Sequence, residues 1–281
     1  MKKLVKRFLP RSMRGEEVTI PVVRLEGAIM SGGNRLRPSL SMASVAPLLE
    51  RAFAYKGAPA IALAINSPGG SPVQSRLIYQ RIRDLALEKN KAVYVFVEDV
   101  AASGGYMLAL AGDEIIADPS SIVGSIGVIS ASFGFQNALS KLGIERRVHT
   151  SGENKSILDP FSPEKAEDVE HLKALQADIH QTFINMVKER RGAKLAQDPD
   201  LFTGLFWTGE KTRTLGLVDD FGTMRGFLKA RYGSRTELKL ITEKRGLFGR
   251  RLGVSTGFGT AVADGLISAA EERALWNRYG L

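Results

Sequence analysis

Ala92-Val93-Tyr94-Val95-Phe96-Val97, leading shortly into Ala101-Ala102-Ser103-Gly104-Gly105-Tyr106, is the stretch that decides the fold. An unbroken apolar run of this length reads as a strand covered on both faces. The glycines after Ser103 make a turn, and a helix starts near Tyr106. One unit upstream the same order recurs: Ala60-Ile61-Ala62-Leu63-Ala64-Ile65 runs into Asn66-Ser67-Pro68-Gly69-Gly70. Ser71 is placed to cap the next helix, with Pro72 in its first turn. Val73, Leu77, Ile82 and Leu85 supply the buried stripe of that helix.

Further out, Val18 to Leu25 reads as the first strand, Gly27 to Pro38 as a loop, and Val45, Leu48, Leu49 and Phe53 as one face of a helix ending near Gly57. Downstream, extended pieces are expected at Glu114 to Ala117, Ile126 to Ser130 and Arg146 to Thr150. Ser162-Pro163-Glu164 starts a long helix that Val169, Leu172, Leu175, Ile179, Phe183 and Met186 carry at helical spacing to about Arg191-Gly192. Strands alternating with helices predict an α/β fold, a sheet with helices on its faces, built from repeated strand-turn-helix units. Past about Tyr232 the composition loosens. Residues 234–281 read as a C-terminal tail with one amphipathic helical segment from Ala261 to Tyr279.

The chain has 281 residues, of which 44% are hydrophobic, enough for a substantial core. It has no cysteine, which excludes disulfides, thiolate-held metals and a thiol nucleophile. No run of about 18 apolar residues marks a transmembrane helix, and the basic start lacks the apolar segment of a secretory signal. The expected location is therefore cytoplasmic. Net charge is +9, with Lys2, Lys3, Lys6, Arg7, Arg11 and Arg14 in the first fourteen residues and no acid among them. Leu4, Val5, Phe8 and Leu9 recur there at helical spacing. The segment reads equally as an amphipathic helix for peripheral contact with an anionic membrane or as a solvated basic tail. No aromatic-rich basic motif or zinc module points to nucleic acid.

A serine hydroxyl becomes a nucleophile when a base takes its proton, and attack on an amide needs donors for the oxyanion. Ser103 precedes Gly104-Gly105, where backbone amides can approach a substrate with no Cβ in the way. The candidate base is Lys155 in Ser151-Gly152-Glu153-Asn154-Lys155. It can serve as base only where desolvation beside bound substrate leaves its amine partly neutral. Of the three histidines, His171 and His180 fall in the long helix and read as surface or packing residues, while His149 stays open as a rival base. Gly204 to Thr212 imitates a phosphate loop, but Glu210 before Lys211 would repel a phosphate. No ATP site and no metal or other cofactor is expected.

These residues resemble the signal peptide peptidase A family of bacterial Ser-Lys peptidases, in its short, single-repeat form. The resemblance spans roughly Val18 to Arg225. It rests on Ile65-Asn66-Ser67-Pro68-Gly69-Gly70, Ala102-Ser103-Gly104-Gly105-Tyr106, Ser121-Ile122-Val123-Gly124-Ser125-Ile126-Gly127-Val128, Ser151 to Lys155, Gly209-Glu210-Lys211-Thr212 and Leu215-Gly216-Leu217-Val218-Asp219. The resemblance implies a ClpP/crotonase-like fold over residues 18–233, preceded by a basic tail at 1–17. It implies Ser103 as nucleophile and Lys155 as general base, backbone amides of Gly69 and Gly104 as the oxyanion hole, and Gly70 and Gly105 beside the substrate. It further implies a homo-oligomer in which neighbouring subunits share each site, and hydrophobic peptides such as signal-peptide remnants as substrates. Members usually carry an N-terminal membrane anchor and an acidic residue after the lysine; here no anchor is seen and Ser156 stands in that place.

The expected function is thus an ATP-independent serine endopeptidase working through an acyl-enzyme. Two alternatives stay open. In a crotonase-type acyl-CoA enzyme the glycine turns would stabilise an enolate. A non-catalytic membrane-associated scaffold would keep the assembly without hydrolysis.

Overall fold

Burial on both faces is what the apolar runs require, and the sheet supplies it. In the computed structural model, which describes residues 18–31, 39–242 and 273–280, β1 (Thr19–Glu26), β2 (Ala60–Ser67) and β3 (Ala92–Ala102) lie parallel in the order β3-β2-β1. All eight residues of β2 are buried. Ile61, Leu63 and Ile65 point into the main core, and each contributes about 1.5–3 kcal/mol by leaving water. Ala60 and Ala62 alternate to the opposite face, where the small side chains leave room for Tyr94 and Phe96.

Helices cover both faces. α1 (Met42–Phe53) and α2 (Pro72–Lys89) connect the first three strands, and crossovers of this kind are how parallel strands are joined. Ser71 caps α2 by accepting from the Gln74 amide, with Pro72 opening the helix as expected. After β3 come α3 (Gly104–Ala109), β4 (Glu114–Ala117), β5 (Ile122–Gly124), α4 (Gln136–Lys141) and the long α5 (Ala166–Arg191). The chain continues through β6 (Phe206–Thr208), α6 (Gly209–Thr214), β7 (Asp220–Phe221), α7 (Met224–Tyr232) and β8 (Glu237–Leu240). The sheet runs β6-β5-β3-β2-β1-β8, with β4 pairing both β3 and β7. Among these pairs only β5–β6 is antiparallel. Leu228 of α7 is buried against the Tyr94 and Phe96 face.

The α/β architecture and the long helix match expectation, but some extended pieces do not. Residues 126–130 and 146–150 form no strand. Conversely, β8 lies at residues assigned to the C-terminal tail and pairs with β1 from Thr19↔Glu237 to Val22↔Leu240. The sheet therefore continues beyond residue 233. Of the expected amphipathic segment, residues 273–277 are helical, while 261–272 lie outside the described residues, as do 1–17. Among the described residues no helix is long and apolar enough to cross a membrane.

One buried ion pair joins the end of α5 to the residue before β7. Arg191, 4% exposed at the end of α5, donates from Nη1 and Nη2 to the Asp219 carboxylate at 2.8 and 3.0 Å. Lys194 Nζ and the Ile115 amide donate to the same carboxylate. Burial pushes the Asp219 carboxyl up, but the hydrogen bonds from Arg191, Lys194 and Ile115 and the Arg191 charge outweigh it and hold the group below its ordinary value. A carboxyl held lower in the folded than in the unfolded chain adds stability that is full above the unfolded value, about 3.9, and lost as pH falls through the folded one. The unfolding midpoint is expected to hold steady down to about pH 5 and to drop below about pH 4. Arg191→Ala, which leaves the carboxylate without its main partner, should cost about 3–5 kcal/mol. Denaturant titration of the variant reads this directly, and a wild-type midpoint would show the pair contributes nothing.

Candidate active site

The site begins with an irregularity in the sheet. Ile65 pairs with Val97 and Ser67 with Ala101, so β3 spends two residues more than β2 over the same span. The excess falls around Glu98-Asp99, and Asn66 fills it. Its Oδ1 accepts from the Val100 amide at 3.1 Å and its Nδ2 donates to Asp99 Oδ2 at 2.7 Å. A bulge bends a strand and re-aims the residues beyond it. Here it also changes partners: β3 pairs with β4 at residues 94–96 and with β5 at residues 100–102.

Ser103 comes directly after, in a sharp strand-to-helix turn. Its backbone sits at φ 52°, ψ −122°, a region that a residue with a Cβ rarely adopts. Such a conformation costs about 1–3 kcal/mol and persists where the surroundings over-determine it. They do so here. The Ser103 amide donates to Gly124 O at 2.9 Å, and its carbonyl accepts from the amides of Tyr106 and Met107 at 3.0 and 3.1 Å. Tyr106 pins the helix from below: fully buried, it donates its hydroxyl to Leu217 O at 2.8 Å, and burial pushes its phenol well above the ordinary value.

The upstream glycine turn closes on this serine. Gly69 has φ +99°, and a Cβ there would stand 2.8 Å from Ser103 Cβ, Gly104 N and Ala102 O. Only glycine permits that approach. The Gly69 amide donates to Ser67 Oγ at 3.2 Å, and Ser67 Oγ donates in turn to Gly27 O at 2.7 Å. Gly104 opens α3, so its amide has no carbonyl one turn back to serve. Gly70 is bridged to Ile29. Gly105 is buried where α3 packs on Ser67, and a Cβ there would overlap the Ser67 carbonyl.

Two clefts meet at Ser103. The larger, about 330 Å³, has Ser125, His180 and Thr203 around it. The smaller, about 220 Å³, is lined by apolar groups including Pro68, Pro72, Met107 and Leu275, together with Gly70 and Gly104. Gly127, Val128, Ile129 and Arg278 line both. Of the expected site residues, the structure thus gathers Ser103, Gly69, Gly70 and Gly104, with Gly105 one layer beneath.

Lys155 is not gathered with them. It lies exposed on the turn at 151–158 and lines neither cleft. His149 is exposed too. His180, read from sequence as a surface or packing residue, instead borders the larger cleft, with Nε2 2.9 Å from Ile126 O. A carbonyl only accepts, so Nε2 carries the proton. The signal for this was present: His180 precedes Phe183 and Val187 by three and seven residues, and both are fully buried, so all three share the inward stripe of α5. Leu275 and Arg278, from the expected tail, are likewise part of the cleft walls.

Comparison with known proteins bears on this arrangement. The model of peptidase family S49 matches residues 86–232. A protein of Methanocaldococcus jannaschii named as a candidate protease is 32% identical over 222 residues, covering 77% of this chain and 70% of that protein. Protease 4 of Salmonella typhi is 33% identical over 207 residues, covering 73% of this chain and 32% of that protein. A Brucella abortus protein named Na(+)/H(+) antiporter NhaA is 64% identical over 287 aligned positions; these cover 99% of this chain but span only 39% of the Brucella protein.

Proposed function

Because the chain belongs to peptidase family S49, we propose that it is a serine peptidase that hydrolyses peptide bonds through an acyl-enzyme on Ser103, without ATP. The observation that carries this reading is the strained Ser103 turn, opening between two clefts with Gly69 and Gly104 packed against it. In the proposed cycle the neutral amine of Lys155 takes the Ser103 hydroxyl proton, and Oγ bonds to the substrate carbonyl carbon. The carbonyl oxygen becomes an oxyanion facing the Gly69 and Gly104 amides. To donate there, Gly69 would release its long bond to Ser67 Oγ. The C–N bond breaks, Lys155 returns its proton to the leaving amine, and water repeats the sequence on the ester.

Lys155 would reach Ser103 from a neighbouring copy. Supporting this, the segment that carries it places large apolar side chains in solvent: Phe133 is 79% exposed, Leu142 72% and Ile129 65%. A surface of that kind is ordinarily covered by a partner. The apolar smaller cleft suits hydrophobic, unfolded segments such as signal-peptide remnants. The basic residues at 1–14 would hold the assembly against an anionic membrane. The antiporter name belongs to the longer Brucella proteins, and among the described residues it finds no counterpart in a membrane-crossing helix.

The test uses a quenched fluorescent peptide with an apolar core, with and without ATP. Ser103→Ala should lose roughly 10^4–10^6 in kcat and all labelling by a fluorophosphonate, and ATP should change nothing. Turnover that survives in Ser103→Ala would remove the serine. An assembled wild type that neither cleaves nor labels would favour the scaffold, and one that binds CoA the acyl-CoA enzyme.

A further inference from the structure

We propose that the Ser125 hydroxyl and the Arg278 guanidinium, in the cleft that His180 and Thr203 frame, form a subsite for a carboxylate of the peptide substrate, supplied either by an acidic side chain near the scissile bond or by a free C-terminus. The inference rests on the peptidase reading and adds to it a chemical preference that an apolar substrate class does not contain.

The two clefts at Ser103 differ in kind. The smaller offers Pro68, Pro72, Met107 and Leu275. Across the shared wall of Gly127, Val128, Ile129 and Arg278, the larger adds the Ser125 hydroxyl; His180, bonded to Ile126 O, and Thr203, whose hydroxyl donates to Asp200 O, complete its rim. No aspartate or glutamate lines either among the described residues. A cleft with a cation, a hydroxyl donor and no acid selects an anion, and a guanidinium fork matches a carboxylate in shape as well as charge.

The Arg278 side chain is exposed, but the turn that bears it is anchored. Arg278 is carried beside Tyr279, which is only 8% exposed and packs on Val100 and Ala102, the strand leading into Ser103. The Tyr279 ring meets Phe206 edge-on at 4.9 Å, and the Arg278 guanidinium stands 5.9 Å from that ring. His180 is held by its bond to Ile126 O and so fixes the segment bearing Ser125 and Gly127. A bound peptide would lie across Ser103 with an apolar residue on one side and its carboxylate on the other.

Binding to the Ser103→Ala protein tests this without relying on turnover. Fluorescein-labelled peptides with one apolar core would carry Glu, Gln or Lys at the positions flanking the target bond, and a second pair would end in a free or an amidated C-terminus. In anisotropy titrations at fixed salt, Glu or the free terminus should bind about tenfold tighter than its neutral twin. Adding Arg278→Glu should abolish that preference and turn it toward Lys, whereas Arg278→Lys should keep part of it. An advantage confined to Glu identifies the side chain as the source; one confined to the free end identifies the terminus. Equal affinities for all charged and neutral twins, or a preference unchanged by Arg278→Glu, would overturn the subsite. Failure of the peptidase reading shows elsewhere, as a wild-type Ser103 that neither cleaves nor labels.

Discussion

An equimolar mixture of Ser103→Ala and Lys155→Ala chains, each inactive alone, is expected to regain peptidase activity when co-assembled, at about a quarter of the wild-type rate. Random pairing leaves about one interface in four with both groups intact. The physical ground is placement. Lys155 is exposed on its own chain and borders neither cleft at Ser103, yet a neutral amine in reach of the hydroxyl is what the chemistry needs. Burial against a second copy would do two things at once: carry the lysine to the serine, and desolvate it so that its proton is released more easily. It would also cover Ile129, Phe133 and Leu142. Co-expressed variants with distinguishable tags, purified as mixed assemblies, give the measurement. Two dead variants that stay dead together would place the lysine and the serine of each site on one chain. Full turnover by Lys155→Ala alone would remove the lysine from the mechanism, and His180, which borders the larger cleft, would be the next group to replace.

Gly105→Ala is expected to lower kcat/KM at least about 100-fold, because displacing a reacting group by about 1 Å costs that much. The added methyl would overlap the carbonyl of Ser67, which is fully buried. Ser67 cannot retreat. Its hydroxyl joins Gly27 O to the Gly69 amide, and moving it would move the other glycine turn as well. The helix must lift instead, and Ser103 stands at its first turn. Overpacking of this kind also costs about 1–3 kcal/mol, so kcat/KM should be read well below the melting temperature, on protein shown to be folded. A folded variant with wild-type kcat/KM would mean that α3 can shift without disturbing the serine.

The parts of this fold that were legible in the sequence are those where burial writes a pattern. β2 and the first half of β3 are apolar without a break because helices cover both faces, and α5 keeps its inward stripe from Phe183 to Arg191. The glycine turns were legible as chemistry, since a Cβ on Gly69 would stand 2.8 Å from Ser103 Cβ and no other residue lets the two strand ends approach this closely. Short pieces carried no such signature. β5 and β6 have three residues each, and β8 is a largely exposed edge strand. Residues 126–130 and 146–150 look extended by composition but have no neighbour to pair with, and a strand needs a ladder as well as a propensity. Arg278 and Leu275 were illegible for a different reason. A residue far along the chain enters a cleft through tertiary docking, here through Tyr279 against β3, and no local periodicity encodes that contact.

The pairing of β1 with β8 has a consequence for the order in which the molecule can be made. Thr19 is among the first residues of the sheet to leave the ribosome, and its partner Glu237 is among the last. At about 5–20 residues per second, the wait is on the order of 10–40 s. Through that interval β1 has β2 on one side and nothing on the other, and its row of unmet amides and carbonyls is a template for any extended chain nearby. A nascent or prematurely ended chain that stops short of residue 237 would keep that edge open permanently. The closing strand thus moves the border of the sheet from the eight-residue β1 to the four-residue β8, and a finished chain differs from a fragment in how long a sticky edge it leaves open.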